Sequence, residues 1–159
     1  MTCAIRAATP ADAGTIHRFI SELAAYEREP QAVVNTPANI AAQLSQERPP
    51  FECLLAHDGG EPLGFGLYFF NYSTWTGRPG LYIEDLYVTP AARGRGAGRA
   101  LFLAMVDVAR ERGCGRMEWS VLDWNVSAVE FYRAFGARPM DEWTTFRMDR
   151  AALEKLWAR

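Results

Sequence analysis

The sequence predicts an α/β domain in which a mixed sheet is covered by helices. Early strand-like runs meet through a hairpin turn signal. Later ones alternate with stretches whose apolar residues recur on one helical face. The bulk properties agree: 159 residues with 49% hydrophobic and 23% charged side chains suffice for a buried core without disulfides or metal. No linker, low-complexity tract or repeat interrupts the chain, so residues 1–159 read as a single domain.

Taken in order, residues 3–7 form a short strand. A helix over 10–28 places Ile16, Phe19, Ile20 and Leu23 on one face, and a second helix spans 37–46. Thr9, Thr36 and Thr89 each precede a proline, the pattern of a helix cap followed by proline at the first helical position. Strands over 51–57 and 63–71 flank the turn Asp58-Gly59-Gly60-Glu61, and 81–88 is a further strand. Residues 96–112 form a helix with Leu101, Phe102, Met105, Val108 and Ala109 on one stripe, stopped at Gly113. A strand over 117–122, a short helix over 127–135 closed by Gly136, a last strand over 143–148 and a helix over 150–157 complete the chain.

A net charge of −2 argues against a non-specific nucleic-acid partner, which needs a basic face. Cys3, Cys53 and Cys114 are odd in number, widely spaced and without nearby metal-ligand partners. They read as reduced thiols of a cytoplasmic protein, with no metal expected. The N-terminus enters a strand-like run with no apolar leader or spanning segment, so no membrane partner is expected. His17 and His57 read as structural or surface residues.

Two features carry chemistry. The run Arg93-Gly94-Arg95-Gly96-Ala97-Gly98 follows a strand and opens a helix. Glycines let the backbone approach a phosphate, the first helical N–H groups point at it, and Arg93, Arg95 and Arg99 add positive charge. This predicts a pyrophosphate-bearing cofactor. The spacing is neither a Walker loop nor Gly-x-Gly-x-x-Gly; it is Arg-x-x-Gly-x-Gly on Arg93, Gly96 and Gly98. The second feature is Glu84-Asp85 inside an otherwise apolar strand. Strict alternation puts the two on opposite sheet faces, and an unpaired buried carboxylate is costly, so one or both are expected to line a cleft that receives a cation.

The loop, the strand before it, and Trp124-Asn125 through Phe131-Tyr132 to Gly136-Ala137 resemble, in order and across essentially the whole chain, the GNAT superfamily of N-acyltransferases. Within it, Glu22-Leu23-Ala24, Tyr26-Glu27, Phe70-Asn71-Tyr72-Ser73-Thr74-Trp75 and Leu122-Asp123-Trp124-Asn125 resemble the diamine group of spermidine/spermine and thialysine acetyltransferases. The resemblance implies the GNAT fold, with six or seven strands and a splayed strand pair for acetyl-CoA. It implies that the backbone of Leu86, Tyr87 and Val88, the loop from Arg93 through Gly94, Arg95, Gly96, Ala97, Gly98 and Arg99, and Asn125 and Ala128 hold acetyl-CoA. It further implies Glu84 as general base, Tyr132 as the acid at the leaving thiolate, and Glu27, Trp75, Glu84 and Asp85 around the amine. From helical spacing alone Tyr132 reads as a core residue.

A carboxylate suits that chemistry, because an alkylammonium with a pKa of about 10.4 must lose a proton before it attacks a thioester. Ser73-Thr74 stands where polyamine enzymes carry an acidic residue, which moves the resemblance toward the thialysine branch. The resemblance also implies a homodimer. Other readings of the same residues are an acyl-CoA-binding sensor without turnover, transfer to a protein amine or aminated antibiotic, and a nucleotide-binding protein of unrelated chemistry.

Overall fold

Five strands build one sheet in sequence order: β1 (Ala4–Ala7), β2 (Glu52–Asp58), β3 (Glu61–Ser73), β4 (Arg78–Val88) and β5 (Arg116–Glu118). The first four pair antiparallel, and β5 joins β4 in parallel. Helices α1 (Ala13–Tyr26), α2 (Pro37–Leu44), α3 (Ala97–Glu111), α4 (Val126–Arg133) and α5 (Arg150–Trp157), with three single 3-10 turns, complete the regular structure of the described residues. These elements come from a computed structural model that describes residues 3–158. The chain divides into two compact units, the first ending at Ser120 and the second beginning at Val121.

In the first unit the pleat sends alternate residues to opposite faces. Cys53, Leu55, Phe65, Leu67 and Tyr87 are buried on the face covered by α1 and α2, where they meet Ile16, Phe19 and Ile40. The Phe19 ring lies 5.8 Å from Phe65 and 5.9 Å from Tyr87. On the other face Gly66 lies against the Met105 side chain of α3, whose Leu101, Phe102, Met105 and Ala109 are buried. Each fully buried Phe or Leu contributes roughly 1.5–3 kcal/mol, so the two apolar faces supply the driving force for this sandwich. The link from β1 into α1 is pinned by Arg6, which donates to both oxygens of Asp12 at 2.8 and 2.7 Å.

The predicted helix over 10–28 begins with a 3-10 turn at Pro10–Asp12 and becomes α-helical from Ala13. The strand expected over 117–122 is only Arg116–Glu118, so β4 and β5 pair at Gly80, Leu81 and Tyr82 and no further. Beyond Tyr82 the edge of β4 runs on to Val88 without a strand beside it among the described residues. The sheet has five strands, fewer than the six or seven expected, because residues 143–148 take no strand pairing among the described residues. A strand needs a hydrogen-bonded neighbour; alternating side chains alone do not make one.

In the second unit Asn125 caps α4 by accepting from the Ala128 N–H at 3.3 Å. Asp149 caps α5 by accepting from Ala152 at 2.8 Å, and Arg150 pairs with Glu154 at 2.7 Å one turn on. No helix among the described residues is long and apolar enough to cross a membrane.

Candidate active site

The open part of β4 carries the acidic pair, and its register explains how. Leu67 faces Asp85 and Tyr68 faces Ile83, so Glu84 is an extra residue, a bulge in β4. A bulge resets alternation and re-aims the side chains around it. Strict alternation therefore does not by itself fix the face of Glu84. Glu84 is exposed, whereas Asp85 is half-buried on the α1 side with its cross-strand partner Leu67. Burial, then the charge of Glu84, then that of Glu27 push the Asp85 carboxyl up to about 7. Burial alone raises the Glu27 carboxyl. Three carboxylates thus gather where α1 ends above the β4 bulge. Like charges this close favour one shared proton or an arriving cation.

The glycine loop sits at the end of the same strand. Gly94 and Gly96 have φ of +73° and +89°, a region side-chain-bearing residues avoid, and Gly96 is the cap from which α3 starts. Space around both is open to 4 Å. The carbonyl of Gly96 accepts from Ala100, while the N–H groups of the first turn have no helical partner and face outward from the helix start. The cradle fits a pyrophosphate.

Arg93 turns back onto the protein. Its Nε–H donates to the Val88 carbonyl at 3.0 Å. Its guanidinium lies 5.0 Å from the Tyr26 ring centroid and 5.7 Å from that of Tyr87. Tyr87 in turn donates its hydroxyl to Glu22 at 2.8 Å. Arg93 thereby ties the loop to the last turn of α1. The last turn closes with Glu29 N–H donating to Ala24 and Arg28 N–H to Ala25, at 2.9 and 3.2 Å. Arg28 is left-handed, with φ of +67°, at a position where glycine avoids a cost of roughly 1–2 kcal/mol.

Trp75 lies at the β3–β4 hairpin tip, exposed, on the turn that begins after Ser73. In the second unit, Asn125 Oδ1 is occupied by the Ala128 N–H and by the Ser127 hydroxyl at 3.2 Å. Tyr132 is half-buried against Phe131, ring to ring at 5.1 Å, and burial pushes its phenol up to about 12. A phenol with that pKa holds its proton at neutral pH and can donate it.

Residues 17–137 match the Acetyltransferase (GNAT) family. The chain belongs to that family. It is an N-acetyltransferase, and members of this family use acetyl-CoA as co-substrate. It is 41% identical to thialysine N-epsilon-acetyltransferase of Sus scrofa, across 96% of this chain and 95% of that one. It is 30% identical to an L-ornithine N5-acetyltransferase of Arabidopsis thaliana, across 96% and 86%. Among solved structures, an integron cassette protein from the mobile metagenome of V. cholerae superposes with a TM-score of 0.82 at 24% identity, covering 100% of this chain and 99% of that one.

In this acetyltransferase the tertiary structure brings Glu27, Glu84 and Asp85 together, and puts Arg93 beside Tyr26 and Tyr87. The second group was not evident from spacing. Tyr26 lies one turn after Glu22 on the same helix face, and Tyr87 lies two residues after Asp85 on the same sheet face. Those two intervals were the available signals.

Proposed function

We propose that the chain transfers acetyl from acetyl-CoA to the side-chain amine of a small amino acid of the thialysine or ornithine type. The observation that carries this reading is the group of three carboxylates, Glu27, Glu84 and Asp85, at the bulge beside the open edge of β4. It offers a cation a site of about −2 to −3 charges next to the cradle for the co-substrate's pyrophosphate. The relatives that act on thialysine and ornithine support the choice of acceptor.

Bound acetyl-CoA supplies the thioester: its acetyl carbon gains the bond to nitrogen and loses the bond to sulfur. The chain's residues handle the rest. Glu27 and Asp85 hold the ammonium, and Asp85, poised near neutrality, ionises as the cation arrives. Glu84, exposed at the bulge, takes the proton from the ammonium directly or through water. A backbone N–H of the Leu86–Val88 edge polarises the acetyl carbonyl. The family resemblance assigns Tyr132 to the departing sulfur: it gives its proton to the thiolate and is reprotonated by the second proton that the acylated nitrogen sheds. Gly94, Gly96, Ala97, Gly98, Arg95 and Arg99 hold the pyrophosphate, and the family resemblance assigns Asn125 and Ala128 to the pantetheine. Trp75 forms a wall of the amine site.

We read residues 1–159 as one acetyltransferase domain, supported by a family match that runs from residue 17 in the first unit to residue 137 in the second. We also read the protein as a cytoplasmic homodimer, supported by the exposed aromatics Tyr72 and Trp75 and by three free cysteines. Thiol release measured over thialysine, ornithine, lysine, putrescine and spermidine tests the acceptor class. Turnover of spermidine above all the amino acids would refute it. Glu84→Gln is expected to lower kcat and flatten its dependence on pH, and an unchanged pH profile would remove Glu84 from the mechanism. Tyr132→Phe with full kcat would do the same for the acid.

A further inference from the structure

The ladder between β4 and β5 ends at Tyr82, which faces Glu118. One side-chain contact ties the two strands past that last rung. The hydroxyls of Tyr82 and Ser120 share a hydrogen bond at 3.1 Å. Ser120 lies two residues beyond Glu118, so the tyrosine side chain leans forward from β4 and crosses to the chain leaving β5. Both ends of this clasp are backed by rings. Tyr82 lies 5.2 Å from Phe69 of β3, and Trp119, the neighbour of Ser120, meets Phe102 of α3 edge-on at 5.5 Å.

The clasp stands at one end of the open edge of β4, and the glycine loop stands at the other. A Cβ at Gly98 would lie 3.5 Å from Val88 Cγ2, so the first turn of α3 rests against the end of the strand. From Ile83 to Val88 the edge measures roughly 17–20 Å, the lower value counting Glu84 as the extra residue of the bulge. The pantetheine arm, from pyrophosphate to sulfur, is a chain of about thirteen bonds, roughly 15 Å long when extended like a peptide. About 2–5 Å then remains between the sulfur and the clasp. An acetyl group fills that space, and a butyryl group overruns it.

We propose that Tyr82 and Ser120 are specificity-determining residues that close the inner end of the co-substrate slot and so limit the length of the acyl group, resting on the reading above that the acyl end of the co-substrate lies along the β4 edge. Titration calorimetry with CoA, acetyl-CoA, propionyl-CoA and butyryl-CoA tests this without any acceptor amine. The wild type is expected to bind acetyl-CoA at least tenfold more tightly than butyryl-CoA. In Tyr82→Phe and in Ser120→Ala that ratio is expected to fall at least fivefold while CoA itself binds as before. Because both variants break the same bond, the double variant is expected to add little to either. Ser120→Thr keeps a hydroxyl at the position and should keep the wild-type ratio. A general loosening of the fold would weaken all four ligands alike and leave the ratio unmoved, and thermal unfolding without ligand checks that each variant folds. A wild type that binds butyryl-CoA as tightly as acetyl-CoA overturns the proposal, as does an unchanged ratio in either single variant. A wild type that holds CoA no more tightly than 3′-phospho-ADP, which lacks the arm, refutes the reading that the arm lies along β4, and the role of the clasp falls with it.

Discussion

Replacing Arg93 by Ala separates two roles that one arginine at a glycine loop can have. If Arg93 only grips phosphate, the variant folds as well as the wild type and loses co-substrate affinity. The structure places it otherwise. Its Nε–H bonds the Val88 carbonyl at 3.0 Å and its guanidinium lies over Tyr26 and Tyr87. A hydrogen bond from a charged donor is worth about 1.5–3 kcal/mol and each exposed cation–π contact about 0.5–1. Solvent screening of an exposed guanidinium reduces the sum, so a loss of about 2 kcal/mol is expected. In a chain of this length that corresponds to a fall in Tm of roughly 4–8 °C. The assay is thermal unfolding without ligand, repeated over a CoA titration. Arg93→Lys, which keeps the charge but not the Nε–H, is expected to fall between the two. An Arg93→Ala variant with an unshifted Tm in the absence of CoA would refute the positioning role.

The sheet makes a sharp contrast between two neighbouring glycines. A Cβ at Gly64 would run into the Tyr87 carbonyl and lie 3.0 Å from Val88 Cα, all backbone. Gly64→Ala should therefore cost about 1–3 kcal/mol or more in denaturant unfolding. At Gly66 the obstacle is the flexible end of Met105 at 3.0 Å, so Gly66→Ala should cost clearly less. Asp85 supplies a pH signature. Its folded pKa, about 7, lies above the ordinary aspartate value of 3.8, so the folded state holds the proton more tightly and stability falls as pH rises from about 4 to 7. Asp85→Asn should flatten that slope in urea titrations at pH 4, 5, 6 and 7; a slope that persists would assign it to other groups. Tyr87→Phe removes the 2.8 Å bond to Glu22 and should cost about 1 kcal/mol in thermal unfolding.

Local chemistry was legible in the sequence. The helix over 150–157 has the bounds expected, because Asp149 and the Arg150–Glu154 pair define its ends within a few residues. The glycine loop and the helix it opens were legible for the same reason: Gly94 and Gly96 occupy conformations that only glycine takes freely. The bulge at Glu84 was not, since nothing in Leu-Tyr-Ile-Glu-Asp-Leu says which residue of β3 each will face. Nor did the apolar spacing of residues 143–148 say that no strand would lie beside them.

By itself the sequence determined the glycine loop, the helix it opens and the presence of an acidic pair, since each depends on residue types and backbone preferences over a handful of neighbours. The tertiary structure decided how those parts are used. It brought Glu27, the cap of α1, within electrostatic reach of Asp85 of β4, turned Arg93 from the loop onto Tyr26 and Tyr87, and ended the β4–β5 pairing at Tyr82 so that the strand edge stays open. Register and helix docking are set by contacts between residues far apart in the chain, which no local pattern encodes.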